Sequence, residues 1–535
     1  MTRRRILPVA LLAAGLLALA GQASFDWFGD AAVAGTPNVD HQIQRVGTVR
    51  MGDLPPRQSD ETGRISIPRR SLDPSSGSDQ PDSDVAVAAP TLNSAVPVPL
   101  VNFQGLTNND NANVTGFTFD PPDTQGAVGP NHVCSFSNNV GRCWDKTGTP
   151  AVGVFDLEPF FLVDTANGFA GFDPVIDYDD RSDRWFGLFA SEDGDTGVIH
   201  VAVSGAANPL QPWTIYNVTF EDVFLDYPHL GISNEMIIVT VNDFTFGDDT
   251  YTGAEVWAFD KDDLVALLPG NQVNASFFGP FTNIFTIQPA HQLSSSLKHY
   301  MAGFAPNNQG NKMRVYKVTG EPSANNVAIT FKDLTVNSFS FPPTAHQPGA
   351  GSPRLDSGDQ RALDAVWRGN RLWVVADHRC KPHPQDAIRS CMHLVEVNTA
   401  GNDEVVRQDF FFGMRDFHIL YPGLTISANG TLYVAFSRSG AGATSLTAPG
   451  NPSAWYTARE SSDPLNTLQG PRQLFRGRGP HIFADNGDPE RWGDYQAAAV
   501  DPSDTNAVWV FSEYQLGTGA SAGRWAIRVA KVKLP

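Results

Sequence analysis

From residue 101 onward, apolar side chains arrive in short runs broken by tight polar turns. The clearest unit is Phe172-Asp173-Pro174-Val175-Ile176-Asp177-Tyr178-Asp179, then a turn Asp180-Arg181-Ser182-Asp183, then Arg184-Trp185-Phe186-Gly187-Leu188-Phe189-Ala190. Short runs rich in β-branched and aromatic residues, punctuated by Gly, Pro and Asp, read as strands, not helices. Two further runs, Val198 to Val203 and Trp213 to Val218, complete a four-stranded unit.

The unit recurs. Leu225-Asp226-Tyr227-Pro228-His229-Leu230-Gly231-Ile232-Ser233 matches Leu420-Tyr421-Pro422-Gly423-Leu424-Thr425-Ile426-Ser427 at Tyr, Pro, Leu, Ile and Ser, and Gly493-Asp494-Tyr495 opens another copy. Weaker copies begin near Asp123, His291 and Asp364. The seven openers are spaced about 62 residues apart on average, longer than the roughly 40 to 50 of compact propeller repeats, so the excess goes into loops. A four-stranded unit cannot bury both faces alone, and radial stacking around an axis solves that. The expected fold is therefore all-β, a seven-bladed β-propeller over residues 101–535, with Val101 to Leu106 closing the ring as an outer strand of the last blade. Six or eight blades stay open, because the units at 291 and 364 are degenerate.

What precedes residue 101 is different. Arg3, Arg4 and Arg5 lead into the apolar run Leu7 to Ala20, which is too short for a good membrane span and reads as a secretory signal over residues 1–23. Sec and twin-arginine export both stay open. Residues 24–100 turn to Ser, Pro, Asp and Gly and offer few apolar groups to offset the entropy of ordering, so a disordered spacer is expected. The mature chain is expected outside the cytoplasm, secreted or periplasmic, as a monomer without a membrane span.

Net charge is −19, with 57 acidic and 38 basic residues, which argues against a nucleic-acid partner. The four cysteines fit export. If Asn138-Asn139 forms a two-residue hairpin turn, Cys134 and Cys143 face each other in a non-hydrogen-bonded pair and can bridge. Cys380 and Cys391 bracket a loop near His378, His383 and His393. A second disulfide is expected there, with zinc as the alternative.

The phrases Pro122-Asp123-Thr124-Gln125-Gly126-Ala127-Val128-Gly129-Pro130-Asn131-His132, Asp173-Pro174-Val175-Ile176-Asp177-Tyr178-Asp179 and Arg491-Trp492-Gly493-Asp494-Tyr495 resemble those of exported bacterial propellers related to sialidase or neuraminidase repeats. The resemblance implies the architecture. It does not extend to the Ser-x-Asp-x-Gly-x-Thr-Trp box of that group: Ser427-Ala428-Asn429-Gly430-Thr431-Leu432-Tyr433 is a residue short and has Asn for Asp.

In a propeller the openers crowd one mouth of the central channel, on the face carrying the loops between second and third strands. Asp123, Asp173, Asp226 and Asp494 are the candidate cation ligands, with Ca²⁺ or Mg²⁺ favoured by hard oxygen donors, although an Asp at a strand start also caps turns. His229, Arg361, Tyr421, Arg491, Trp492 and Tyr495 are the candidate ligand-binding residues. Trp and Tyr planes stack on sugars, and Arg grips carboxylates; the plain alternative is aromatic packing between blades, Trp367 being one such case. No nucleophile elbow, zinc-protease helix or phosphate loop is present. The expectation is a propeller that binds an extracellular glycan or surface polymer through its loop-rich face. The alternative is a sialidase-like glycoside hydrolase.

Overall fold

The computed structural model describes residues 31–33, 43–54, 63–67, 70, 85–89 and 91–535, apart from 402, 443–449, 484–487 and 522. The expected signal over residues 1–23 lies outside the described residues. Among the described residues, no helix is long and apolar enough to cross a membrane.

Seven sheets of four antiparallel strands, two of them with a fifth strand added at the outer edge, follow one another along the chain. Their innermost strands are Gln125–Val128, Ala170–Asp179, Phe224–Ile232, Gln288–Pro289, Ala362–Arg368, His418–Ile426 and Ala497–Val500. Each of these touches the next, and the seventh touches the first, so the sheets form a closed ring around an axis. Blade 7 takes its outermost strand from the other end of the propeller: Val101–Thr107 pairs antiparallel with Trp525–Val532, Asn102 opposite Ala530. The seven-bladed count and the closing strand thus agree with the sequence reading. Blade 4 explains its own degeneracy. Its inner strand is only Gln288–Pro289, after which His291–Gln292 crosses to pair in parallel with the inner strand of blade 5.

The core is distributed, not central. One apolar cluster fills each interface between neighbouring blades, such as Phe220, Trp257 and Val239 between blades 2 and 3, and Trp144, Trp509 and Trp525 between blades 7 and 1. Each strand buries one face against each neighbour, which is why the runs read as nearly continuous apolar sequence. Trp367 belongs here. It stacks on Tyr300 at 6.0 Å and donates its indole N–H to Thr399.

Inner strands share a local device at the mouth. Asp123, Asp173, Tyr227 and Tyr421 all adopt left-handed backbone conformations, with φ between 48° and 56°. In blades 2, 3 and 6 a proline follows, and pairing resumes two residues beyond, at Val175, His229 and Gly423. Such a bulge bends the strand and re-aims its side chains. The structural equivalent of Asp173 is therefore Tyr227, with Asp226 one residue earlier, so the acidic openers are not all at one repeat position.

The described parts of residues 24–100 lie against the propeller. Ile43–Val49 adds a fifth strand to blade 2, Ala31–Val33 pairs with the outer strand of blade 4, and residues 87–100 bond to the rims of blades 5, 6 and 7. These stretches cover outer edges that would otherwise present unpaired N–H and C=O groups. Gly63–Ser66 pairs in parallel with Phe117–Asp120 and carries the chain over the channel mouth.

Candidate functional site

The connections 192–197, 242–253, 379–390 and the described parts of 438–453 share the mouth face with the openers, as expected. On the opposite face, Lys261–Val265 forms a helix within the 261–274 connection. Two long crossings between blades, 336–361 and the described parts of 476–496, bring to the openers residues that the repeat pattern does not mark.

Beneath them is a buried polar network. Asp123 accepts the Asp494 N–H on Oδ1 (2.7 Å) and the Asn138 amide on Oδ2 (2.6 Å), while Asn138 Oδ1 accepts the Asp173 N–H (2.9 Å). Arg491 bonds Asp494 at 2.8 Å and Asp356 at 3.2 Å, and its Nε donates to the carbonyl of Ile67. Arg361 grips Asp359 with Nε and Nη2 and also donates to the carbonyl of Arg70. Both arginines therefore hold the segment that crosses the mouth. Arg361 also lies 4.3 Å over the ring of Tyr227, which stacks on Tyr495 at 4.8 Å, with His229 edge-on. The Tyr495 hydroxyl is 3.5 Å from Asp173 Oδ2.

The six expected binding residues are thus all buried in or beside one network, together with the four openers. Tyr421 and Trp492 differ from the others: they pack with Ala345, Leu355, Leu363 and Leu420 in an apolar cluster under the 336–361 crossing. Asp226 lies within the field of Arg70 and Arg361.

Burial dominates the electrostatics. It raises Asp123 to about 7, helped by the Asp494 charge, and raises Asp226 to about 6 against Arg70 and Arg361. Asp173 is pushed well above its ordinary value by burial and then by Asp123 and Asp226. His229 is lowered to about 3 by burial and Arg361, which keeps it neutral. Burial and the Asp173 charge push the Tyr495 phenol well up.

Sequence reasoning missed Asp120, Asp356, Asp359, His481, Glu490 and Glu513. They lie in aperiodic crossings or within strands, and only Asp356 and Asp359, flanking Gly358, carry even a weak turn signal. Asp120, His481 and Glu490 have ligand atoms within 4.8 Å of one another.

The channel itself is narrow, a cavity of about 80 Å³ lined among others by Asp177, His229, Gln288, His291 and Asp364. His291 Nδ1 lies 2.6 Å from Asp177. A larger groove of about 510 Å³ opens on the mouth side of blades 1 to 3, lined by Phe117, Phe119, Phe169, Phe172 and Phe224 with Asn139, Glu158, Glu192 and Arg70.

Both cysteine pairs are disulfides. Cys134 faces Cys143 with Cα atoms 4.1 Å apart, in the register expected from an Asn138-Asn139 turn. Cys380 bridges to Cys391, so zinc does not sit there. His378 and His393 instead bond each other through Nδ1 atoms (2.9 Å), and His393 reaches Asp409.

The fold places the chain among seven-bladed β-propellers. No protein-family model matches it, and no curated protein matches it in sequence. Solved structures similar to it include a neuraminidase-like protein of subtype N11 from influenza A/flat-faced bat/Peru/033/2010 (10% identity, 72% of this chain and 98% of that one, TM-score 0.36). A Trypanosoma rangeli sialidase in complex with 2,3-difluorosialic acid is 9% identical over 67% of this chain and 53% of that one, with TM-score 0.31. An N-acetylgalactosamine deacetylase from F. plautii is 9% identical over 82% of this chain and 96% of that one, also with TM-score 0.31. At such identities and scores the likeness adds nothing about the site, and the blade count rests on the strand pairing itself.

Proposed function

We propose that this chain is an exported propeller that binds an extracellular carbohydrate polymer on its mouth face, in the groove over blades 1 to 3. The supporting observation is the groove's composition. Five phenylalanines and a few convergent polar groups, Asn139, Glu158 and Glu192, line about 510 Å³ of open space, which is the mixture of apolar planes and placed acceptors that a sugar chain needs. The central channel, at about 80 Å³, is too small for that role.

A hydrolase reading has one observation in its favour, the Tyr495 and Asp173 pair with Arg361 and Arg491 nearby. Against it, burial and carboxylates raise the phenol's pKa, opposite to what an activated nucleophile requires. The arginines also already hold Asp359, Asp494 and Asp356.

The test combines a glycan array with fluorogenic glycosides. Array binding without turnover is expected, and Phe117→Ala or Phe169→Ala should weaken it about tenfold, equivalent to roughly 1.4 kcal/mol. Turnover abolished by Asp173→Asn would reject the binding reading, as would binding untouched by both Phe variants.

A further inference from the structure

Behind the mouth network, three elements bring acids and an imidazole together, and among the described residues the Asp120 and Glu513 carboxylates there have no lysine or arginine partner. Asp120 ends the strand Phe117–Asp120, His481 and Glu490 lie in the 476–496 crossing, and Glu513 stands in the second strand of blade 7. Asp120, His481 and Glu513 are fully buried, and Glu490 is 2% exposed.

The hydrogen-bond pattern fixes which atoms face inward. Gln515 donates its amide N–H to the Gly517 carbonyl at 3.2 Å, which turns Oε1 toward His481 Nδ1 at 2.9 Å. Oε1 can only accept, so Nδ1 carries the proton, and Nε2 presents its other side to Asp120 Oδ1, 3.1 Å away. No aligned hydrogen bond joins that pair. Both Asp120 oxygens and both Glu513 oxygens are buried without a hydrogen-bond donor. Among the described residues no lysine or arginine pairs with Asp120 or Glu513, and Arg491 is committed to Asp356 and Asp494. Buried carboxylates left in this state take up protons or share a cation.

We propose that Asp120, His481 and Glu490 bind one divalent transition-metal ion, zinc or manganese. An imidazole nitrogen among carboxylate oxygens suits these ions better than calcium, which takes oxygen donors throughout. The Gln515 contact is the partner that typically orients a metal-bound histidine. The ion would tie His481 and Glu490 of the 476–496 crossing to the strand leading into blade 1. It would also place the cation that the acidic openers suggested a short distance from Asp123 and Asp494.

The test uses the full chain, stripped with dipicolinate, dialysed against ZnCl₂ or MnCl₂ and counted by plasma mass spectrometry. Wild type should take up one equivalent more than His481→Gln or Asp120→Asn, while His383→Gln, in the loop near Cys380, should match wild type. Stripped, natively folded wild type that takes up no equivalent beyond His481→Gln would overturn the proposal. If the variants fail to fold, ¹⁵N resonances of the His481 ring in wild type decide: added zinc should shift Nε2, whereas an imidazolium signature persisting at saturating metal would leave a plain His481 and Asp120 ion pair.

Discussion

Single buried acids set how this protein responds to pH. Asp364 sits in the channel wall and accepts the N–H groups of Leu424 and Ala365, but burial outweighs both bonds and raises it to about 7. Asp123 and Asp226 are raised in the same direction. A carboxyl whose folded pKa exceeds its unfolded value near 3.9 binds its proton more tightly in the native state. Its contribution is present at low pH and is lost as pH rises from about 4 through about 7. Metal-stripped protein should therefore melt at higher temperature at pH 5.5 than at pH 7.5, by on the order of 5 °C, and Asp364→Asn should flatten part of that slope in a calorimetric series. Asp179 works oppositely: Lys261 and Arg181 lower it to about 2 despite burial, so its contribution disappears only in strong acid. Residue chemistry was the hardest layer to read from sequence. Asp, Arg and Tyr near the openers were legible as a group, but not that Arg361 and Arg491 would spend themselves on neighbouring acids and backbone carbonyls.

At the scale of elements, the hairpins were the most legible part, because turn residues and strand alternation are local. The Cys134 and Cys143 register followed from one dipeptide. Replacing both cysteines by serine removes a short loop closure and should cost about 2 to 3 kcal/mol, read as a lower denaturation midpoint with unchanged slope. The Asp-Pro and Tyr-Pro phrases were legible as repeats, but their meaning was not. They mark a bulge with a left-handed residue, where Asp173 and Tyr227 take the same backbone role with unlike side chains. The crossings 336–361 and 476–496 were illegible for a physical reason: they have no periodicity, and their partners lie far away in sequence. Gln347, for example, bonds the backbone of His481.

For the whole molecule, closure depends on one long-range pairing, Arg528 and Asn102 being 426 residues apart. A chain ending at residue 524 loses the third strand of blade 7, and with it the only strand that pairs with Val101–Thr107 among the described residues. It should fail to give a cooperative unfolding transition, whereas a two-state melt of that truncated chain would show that six blades and a hairpin suffice. Contacts this distant are entropically slow to form. It follows that the circle is joined where its first and last strands meet, once residues 525–532 can reach Val101–Thr107. Until then the blades at the two open ends of the arc each expose an apolar flank, a surface that chaperones can hold.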